Sequence, residues 1–193
     1  MSEILKVEGI KKTFGKFEAL KDVSFTANSG EVIGFIGPNG AGKSTLIRIL
    51  LGIIKRDKGN AEIFGKDVWS DSIDIHKRIS YVPGDVNLWG GLTGGEIIDL
   101  FIKLHGGGSQ SKKDDLIKRF EFDPKKKAKS YSKGNRQKVG LIAALSVDSD
   151  FYIFDEPTSG LDPLMEVVFQ EEIKALKEAG KAILLSSHIL SEV

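Results

Sequence analysis

The stretch that decides the fold is EVIGFIGPNGAGKST, residues 31–45. Residues 31–36 form a nearly continuous apolar run, which predicts a strand buried on both faces of a sheet. Residues 37–44 satisfy the pattern G-x-x-x-x-G-K-[ST], and the apolar residues after it predict a helix from about Lys43 to Leu51. Between a strand and a helix, this pattern predicts a loop that wraps the phosphates of ATP or GTP. The alternative is an ordinary glycine turn that joins the two elements.

The loop has the residue types that phosphate binding needs. Its glycines let backbone N–H groups turn inward, where a Cβ would obstruct them. Lys43 can reach the β- and γ-phosphates, Ser44 can ligate Mg²⁺, and the helix N-terminus adds positive potential. We therefore predict that the nucleotide contacts Gly37, Pro38, Asn39, Gly40, Ala41, Gly42, Lys43, Ser44 and Thr45.

A second candidate site lies at the end of another apolar run, residues 151–154, which is followed by Asp155 and Glu156. The carboxyl end of a strand in an α/β sheet lies beside the ligand crevice. Asp155 can therefore hold Mg²⁺ directly or through water, and Glu156 can act as general base toward the attacking water. An acidic strand end without a function is the alternative.

Composition and patterning predict one compact domain. The chain has 193 residues, 40% of them hydrophobic, and a net charge of +1, which argues against a surface built for nucleic acid. With Cys 0, disulfides and thiolate metal sites are excluded. No apolar run approaches the roughly 20 residues that span a bilayer. Strands alternate with helices, except in a charged, glycine-interrupted helical insertion at residues 84–130, where Thr93 and Ser111 are predicted helix caps.

Two further segments, DEPTSGLDP at 155–163 and YSKGNRQ at 131–137, carry a family resemblance. With the phosphate loop, they resemble the ATP-binding subunit of a bacterial ABC transporter over essentially the whole chain. The resemblance implies an α/β P-loop fold with a mainly parallel sheet, an N-terminal antiparallel β subdomain and a small helical subdomain. It implies one domain, 1–193, in which 1–83 and 131–193 form the nucleotide-binding core and 84–130 the helical subdomain.

The family's residue roles transfer position by position. Phe14 occupies the position that stacks on adenine, although a core Phe at a strand end is the alternative. Ser132, Gly134 and Asn135 would meet the γ-phosphate bound to a second subunit, and Asp162 would lie in the segment through which the subunits sense each other. His188 would contact the γ-phosphate and orient the water. The implied catalytic residues are Glu156, His188 and Lys43, and the implied metal ligands are Ser44 and Asp155.

Four features depart from the family's pattern. Lys133 and Asn135 replace the usual residues of the signature, a variation associated with drug and antibiotic exporters. Gly84 stands where the family has a Gln that ligates Mg²⁺, so we expect slower or more Mg²⁺-demanding hydrolysis, with water or Asp85 taking that place. The sequence also stops at Val193, just after His188, where relatives continue, which suggests truncation.

We therefore predict an ATP-binding and ATP-hydrolysing subunit, with ATP and Mg²⁺ as cofactors. It would pair with a second ATP-binding subunit and power export by a membrane-spanning permease, from a peripheral position on the cytoplasmic face of the cell membrane. No nucleic-acid partner is expected. Two alternatives remain: a soluble ABC ATPase acting on nucleic acid or ribosomes, and an ATP-binding module with little turnover. A small-molecule kinase is disfavoured because it would have no use for residues 131–137 and 155–163.

Overall fold

The computed structural model describes residues 2–187 and contains two four-stranded sheets. His188, the predicted catalytic histidine, lies outside the described residues together with 189–193. The first sheet is antiparallel and has the order β2-β1-β4-β5. Its strands are β1 (Glu3–Phe14), β2 (Phe17–Asn28), β4 (Lys58–Ile63) and β5 (Lys66–Asp67).

The second sheet is parallel throughout and has the order β3-β8-β7-β6. Its strands are β3 (Val32–Ile36), β6 (Ile79–Val82), β7 (Phe151–Asp155) and β8 (Ala182–Ser187). Every residue of β7 and β8 is buried, as expected for strands covered on both faces. The carboxyl ends of the four strands share one edge, so the segments that follow them are brought together.

Between residues 2 and 187, six α-helices lie among the strands. They are α1 (Lys43–Leu50), α2 (Ser72–His76), α3 (Gly94–Leu104), α4 (Gln110–Arg119), α5 (Lys133–Leu145) and α6 (Pro163–Glu178), with a 3₁₀ turn at Ala128–Ser130. Thr93 caps α3 as predicted. The prediction that Ser111 caps the next helix was wrong. The Ser109 hydroxyl accepts from the Lys112 amide at 3.1 Å, so α4 begins two residues earlier, directly after the glycines.

The core consists of two clusters of buried side chains on opposite faces of the parallel sheet. Strand β7 serves both, because Tyr152 and Phe154 belong to one cluster while Phe151 and Ile153 belong to the other. One cluster joins the antiparallel sheet to α1, and the other joins α3, α4, α5 and α6. This arrangement confirms the predicted α/β fold class. The division at residues 84 and 130 stays a prediction, since the second cluster draws side chains from both sides of each boundary.

No helix within residues 2–187 combines the length and the apolar character needed to cross a bilayer.

Candidate nucleotide-binding site

The glycine-rich loop connects β3 to α1, at the carboxyl edge of the parallel sheet. Gly40 and Gly42 have φ of 85° and 89°, a region that L side chains rarely adopt. A Cβ on Gly42 would also lie 2.5 Å from the Ala19 carbonyl oxygen, so the loop packs directly against β2. Gly42 precedes the first turn of α1 and has no side chain with which to cap it. The loop therefore meets both requirements of a phosphate cradle: close backbone approach and a helix N-terminus without a side-chain cap.

The Lys43 ammonium lies inside this loop. It donates to the carbonyl oxygens of Gly37 and Pro38, the latter at 3.2 Å. It is also 3.9 Å from a carboxylate oxygen of Glu156, which joins the loop electrostatically to the end of β7. Only 9% of the Lys43 side chain is exposed, so its charge is directed inward rather than into solvent.

A cleft of about 330 Å³ opens over the loop. Its lining comprises Phe17, Ala19, Asn39, Gly40, Ala41, Gly42, Lys43, Ser44, Thr45 and Glu156. Phe14, the predicted adenine-stacking residue, is not part of this lining within the described chain. Phe14 pairs with Phe17 across the hairpin, and the Lys12 ammonium lies 5.4 Å from the centre of its ring. Sequence reasoning missed Phe17, although an aromatic residue just after the hairpin glycine was a usable signal.

The two carboxylates at the end of β7 have different environments. Asp155 is buried, and the Ser186 hydroxyl donates to its carboxylate. The Glu156 amide donates to the hydroxyl and to the carbonyl of Ser186, at 3.1 Å each. Glu156 has a φ of 48°, an uncommon value for a residue with a side chain and one that clusters at functional sites. Ser186 thus fixes both acidic residues, a role that sequence reasoning did not assign to it.

A second cavity, of about 420 Å³, contains both predicted metal ligands. It is lined by Ser44, Arg48, Tyr81, Pro83, Gly84, Asp85, Asn87, Asp155 and Glu156. A hydroxyl and a carboxylate suit Mg²⁺, which is commonly held by one or two protein oxygens together with substrate phosphates and waters. Within residues 2–187, no group of three or more His, Cys, Asp or Glu side chains gathers as a metal site. Ser44 and Asp155 supply two oxygen donors, which fit an ion that takes its remaining ligands from phosphate and water.

Tyr81 and Gly84 line this cavity together with Ser44 and Arg48 of α1. Burial raises the pKa of Tyr81 to about 12, the charge of Asp155 adds to the rise, and Arg48 opposes it. The phenol therefore stays protonated near neutral pH. A Cβ on Gly84 would lie 3.0 Å from the Asp155 carbonyl oxygen, so a larger residue there would require the end of β7 to give by a few tenths of an ångström. Gly84 therefore packs closely against the end of β7, at the position where the resembling family has Gln.

The remaining predicted residues form a separate group that lines neither cavity. The Ser132 hydroxyl caps α5 by accepting from the Asn135 amide at 3.2 Å. Asp162 caps α6 by accepting from the Met165 amide at 3.1 Å. Gly134 touches the loop before α6 so closely that a Cβ would lie 2.2 Å from the Gly160 carbonyl oxygen. The structure thus brings Lys43, Ser44, Asp155 and Glu156 together, and it gathers Ser132, Gly134 and Asp162 elsewhere.

Known proteins resemble the chain in sequence and in fold. The family model described as ABC transporter matches residues 20–159. The uncharacterized ABC transporter ATP-binding protein YhcH of Bacillus subtilis is 35% identical over 100% of this chain and 64% of its own length. The bacitracin transport ATP-binding protein BcrA of Bacillus licheniformis is 34% identical, with the same coverage of 100% and 64%.

A solved structure of an ATP-binding subunit of an ABC transporter superposes with a TM-score of 0.87 at 31% identity, covering 97% of this chain and 80% of that one. The chain spans 64% of the length of the two curated relatives. The family match extends from β2 through β7 and includes the glycine-rich loop, both carboxylates and residues 131–137. The chain therefore belongs to the ABC transporter ATP-binding family.

Proposed function

We propose that this chain binds ATP together with Mg²⁺ and hydrolyses it to power transport by a membrane-spanning partner. The observation that carries the proposal is the meeting of Lys43, Ser44, Asp155 and Glu156 at one sheet edge. Lys43 and Glu156 are joined at 3.9 Å, and Ser44 and Asp155 line one cavity. A cation, a hydroxyl and two carboxylates around a glycine loop are suited to phosphoryl transfer to water.

Each residue has a distinct task in the proposed reaction. The backbone of the loop and the Lys43 ammonium bind and orient the phosphates. Ser44 and Asp155 would hold Mg²⁺, which when bound neutralises charge on the phosphate oxygens. Glu156 accepts a proton from the attacking water, and the bonds from its amide to Ser186 keep its backbone in the required position. We propose Phe14, with Phe17 beside it, as the surface for the base.

We further propose that a second ATP-binding subunit completes the site. Ser132, Gly134, Asn135 and Asp162 line neither cavity of this chain. Ser132 and Asp162 are exposed and cap the N-termini of α5 and α6. A second copy, or a homologous subunit, could present the same group to the γ-phosphate bound here. We propose that His188 contacts the same γ-phosphate and orients the attacking water.

The transport partner is proposed to dock beside the helical segment. A mostly apolar groove of about 310 Å³ lies between β6, α3 and α5, with Val86, Phe101 and His105 in its lining. Trp89 is 54% exposed, and its ring centre lies 5.9 Å from that of Phe101. An exposed Trp beside an apolar groove suits an interface with a helix of a permease. This partner would hold the chain at the cytoplasmic face of the membrane. The similarity to the bacitracin transport protein BcrA favours an antibiotic as the exported substrate.

The decisive test is Glu156→Gln. We expect it to abolish phosphate release while ATP binding, measured by calorimetry, is retained, because the amide cannot accept the proton but the phosphate loop is unchanged. Phosphate release that persists at the wild-type rate would contradict the assignment of the base. ATPase stimulation by RNA, and not by a membrane partner, would instead support a ribosome- or nucleic-acid-directed ATPase.

Gly84 favours a second candidate function, an ATP-binding module with little turnover. With no side chain at this position, water or Asp85 has to complete the metal shell on that side of the cavity. We expect Gly84→Gln to raise the rate or to lower the Mg²⁺ concentration required for it. Gly84→Ala is the matched control, because it brings the same 3.0 Å contact with the Asp155 carbonyl but no ligand. Equal Mg²⁺ dependence in all three proteins would contradict the role given to this position.

A further inference from the structure

Lys133, the first residue of α5, makes a contact that joins two predicted motifs. Its ammonium donates to the Ser159 hydroxyl at 2.6 Å. Lys133 is exposed and Ser159 is partly buried, so the lysine reaches across the surface to the turn that follows β7. The resembling family has glycine at position 133, and a glycine could not form this bond.

The two segments also touch along their backbones. A Cβ on Gly134 would lie 2.2 Å from the Gly160 carbonyl oxygen, and a Cβ on Gly160 would lie 3.4 Å from the Lys133 side chain. The aliphatic part of Lys133 therefore packs over Gly160, and its ammonium bonds to the adjacent Ser159. The two segments are therefore in close van der Waals contact, and the Lys133–Ser159 hydrogen bond joins them directly.

Ser159 lies in the turn of residues 156–162, which begins at the proposed catalytic base. The Ser159 amide donates to the Glu156 carbonyl at 3.1 Å, and the Leu161 amide donates to the Thr158 carbonyl at 2.9 Å. The turn ends at Asp162, which caps α6. A displacement of Ser159 therefore acts on Glu156 at one end and on Asp162 at the other.

We propose that Lys133 is a positioning residue that holds the 156–162 turn against the first turn of α5. Both segments then face a second subunit as one rigid unit, and Glu156 keeps its orientation. This inference rests on the proposed function, in which two subunits share the nucleotide. Lys133 acts through Ser159 and not by direct contact with phosphate.

The first test measures how rigidly the turn is held, and it does not require ATP hydrolysis. Lys133→Met keeps most of the side-chain length, Ser159→Ala removes only the acceptor, and the double variant closes the cycle. We expect hydrogen–deuterium exchange at the 159–161 amides to accelerate in both single variants and no further in the double variant. Lys181→Met is the matched control, because it removes another 2.6 Å lysine contact, to Asp148, at the opposite edge of the sheet. Unchanged exchange, or additive effects of the two substitutions, would overturn the proposal.

The second test measures turnover. Each single variant should lower kcat by about threefold to tenfold, the range expected for one hydrogen bond. ATP affinity of the isolated chain should not change, because Lys133 and Ser159 line neither cavity. A loss in Lys133→Met without a loss in Ser159→Ala would indicate direct phosphate contact and refute positioning. Failure of the proposed function would be seen separately, as wild-type phosphate release that Glu156→Gln does not abolish.

Discussion

The N-termini of α1 and α3 differ in whether side chains cap their first backbone amides. At α3, the Thr93 hydroxyl accepts from the Glu96 amide at 3.2 Å, and the Glu96 carboxylate accepts from the Thr93 amide at 2.6 Å. At α1, the corresponding cap is Gly42, which has a left-handed φ and no side chain. The N-terminus of α3 is capped by side chains, and that of α1 has no side-chain cap. The difference supports the proposal that α1 binds the phosphates, and it gives α3 no comparable role.

The largest effect expected at α1 is that of Lys43→Met. Removing the ammonium should lower ATP turnover by at least about 100-fold, because the site would lose the inward-directed cation that the loop supplies. Phosphate release at saturating ATP measures it, and Lys181→Met, whose lysine binds Asp148 away from the cleft, provides the control. Turnover within a few-fold of wild type would break the contrast between α1 and α3.

A matched pair of substitutions probes why the α1 cap is glycine. Gly42→Ala should lower the free energy of unfolding by about 3 kcal/mol, from left-handed strain plus the 2.5 Å contact with the Ala19 carbonyl. Gly40→Ala should cost only about 1 kcal/mol, because its φ of 85° is similar but nothing lies within 4 Å of the new Cβ. Denaturant unfolding measures both. Equal losses would mean that packing against β2 does not matter.

The reciprocal experiment is made at α3. Thr93→Ala should lower the free energy of unfolding by about 1 kcal/mol, the usual value of a lost side-chain cap. It should leave ATP affinity unchanged, since Thr93 lines neither cavity over the phosphate loop. Thr93→Ser, which retains the capping hydroxyl, is the control. A change in ATP affinity would show that α3 takes part in binding.

The smallest effect concerns the opposite end of α3. Burial lowers the pKa of His105, whose ring nitrogen lies 3.1 Å from the Ser149 hydroxyl. The unfolded chain then binds the proton more readily than the folded one, so stability should fall as pH drops below about 6.5. His105→Gln should flatten this part of the stability curve, measured by thermal unfolding between pH 5 and pH 7.5. An unchanged slope would assign the pH dependence to other groups.

The glycine-rich loop between β3 and α1 was predictable because its information is local. Residues 31–50 contain the strand, the glycines, the lysine and the helix in direct succession. Each can be recognised from its composition or from the spacing of its apolar residues. Ser186 and Phe17 were not predictable in this way. Ser186 meets Asp155 only because β7 and β8 pair in parallel with these two residues as partners, 31 positions apart. The helix cap at Ser109 was missed because two serines in one segment gave the same local signal.

The sequence by itself determined the α/β class, the glycine-rich loop that carries Lys43 and Ser44, and the acidic pair Asp155 and Glu156 at a strand end. These follow from contiguous residues whose conformational preferences agree with their chemistry. Only the tertiary structure decided that Lys43 lies against Glu156, that Ser186 fixes the acidic pair, and that Lys133 bridges to Ser159. Such contacts depend on strand register and helix packing, which are set by burial of the two cores and not by any local pattern.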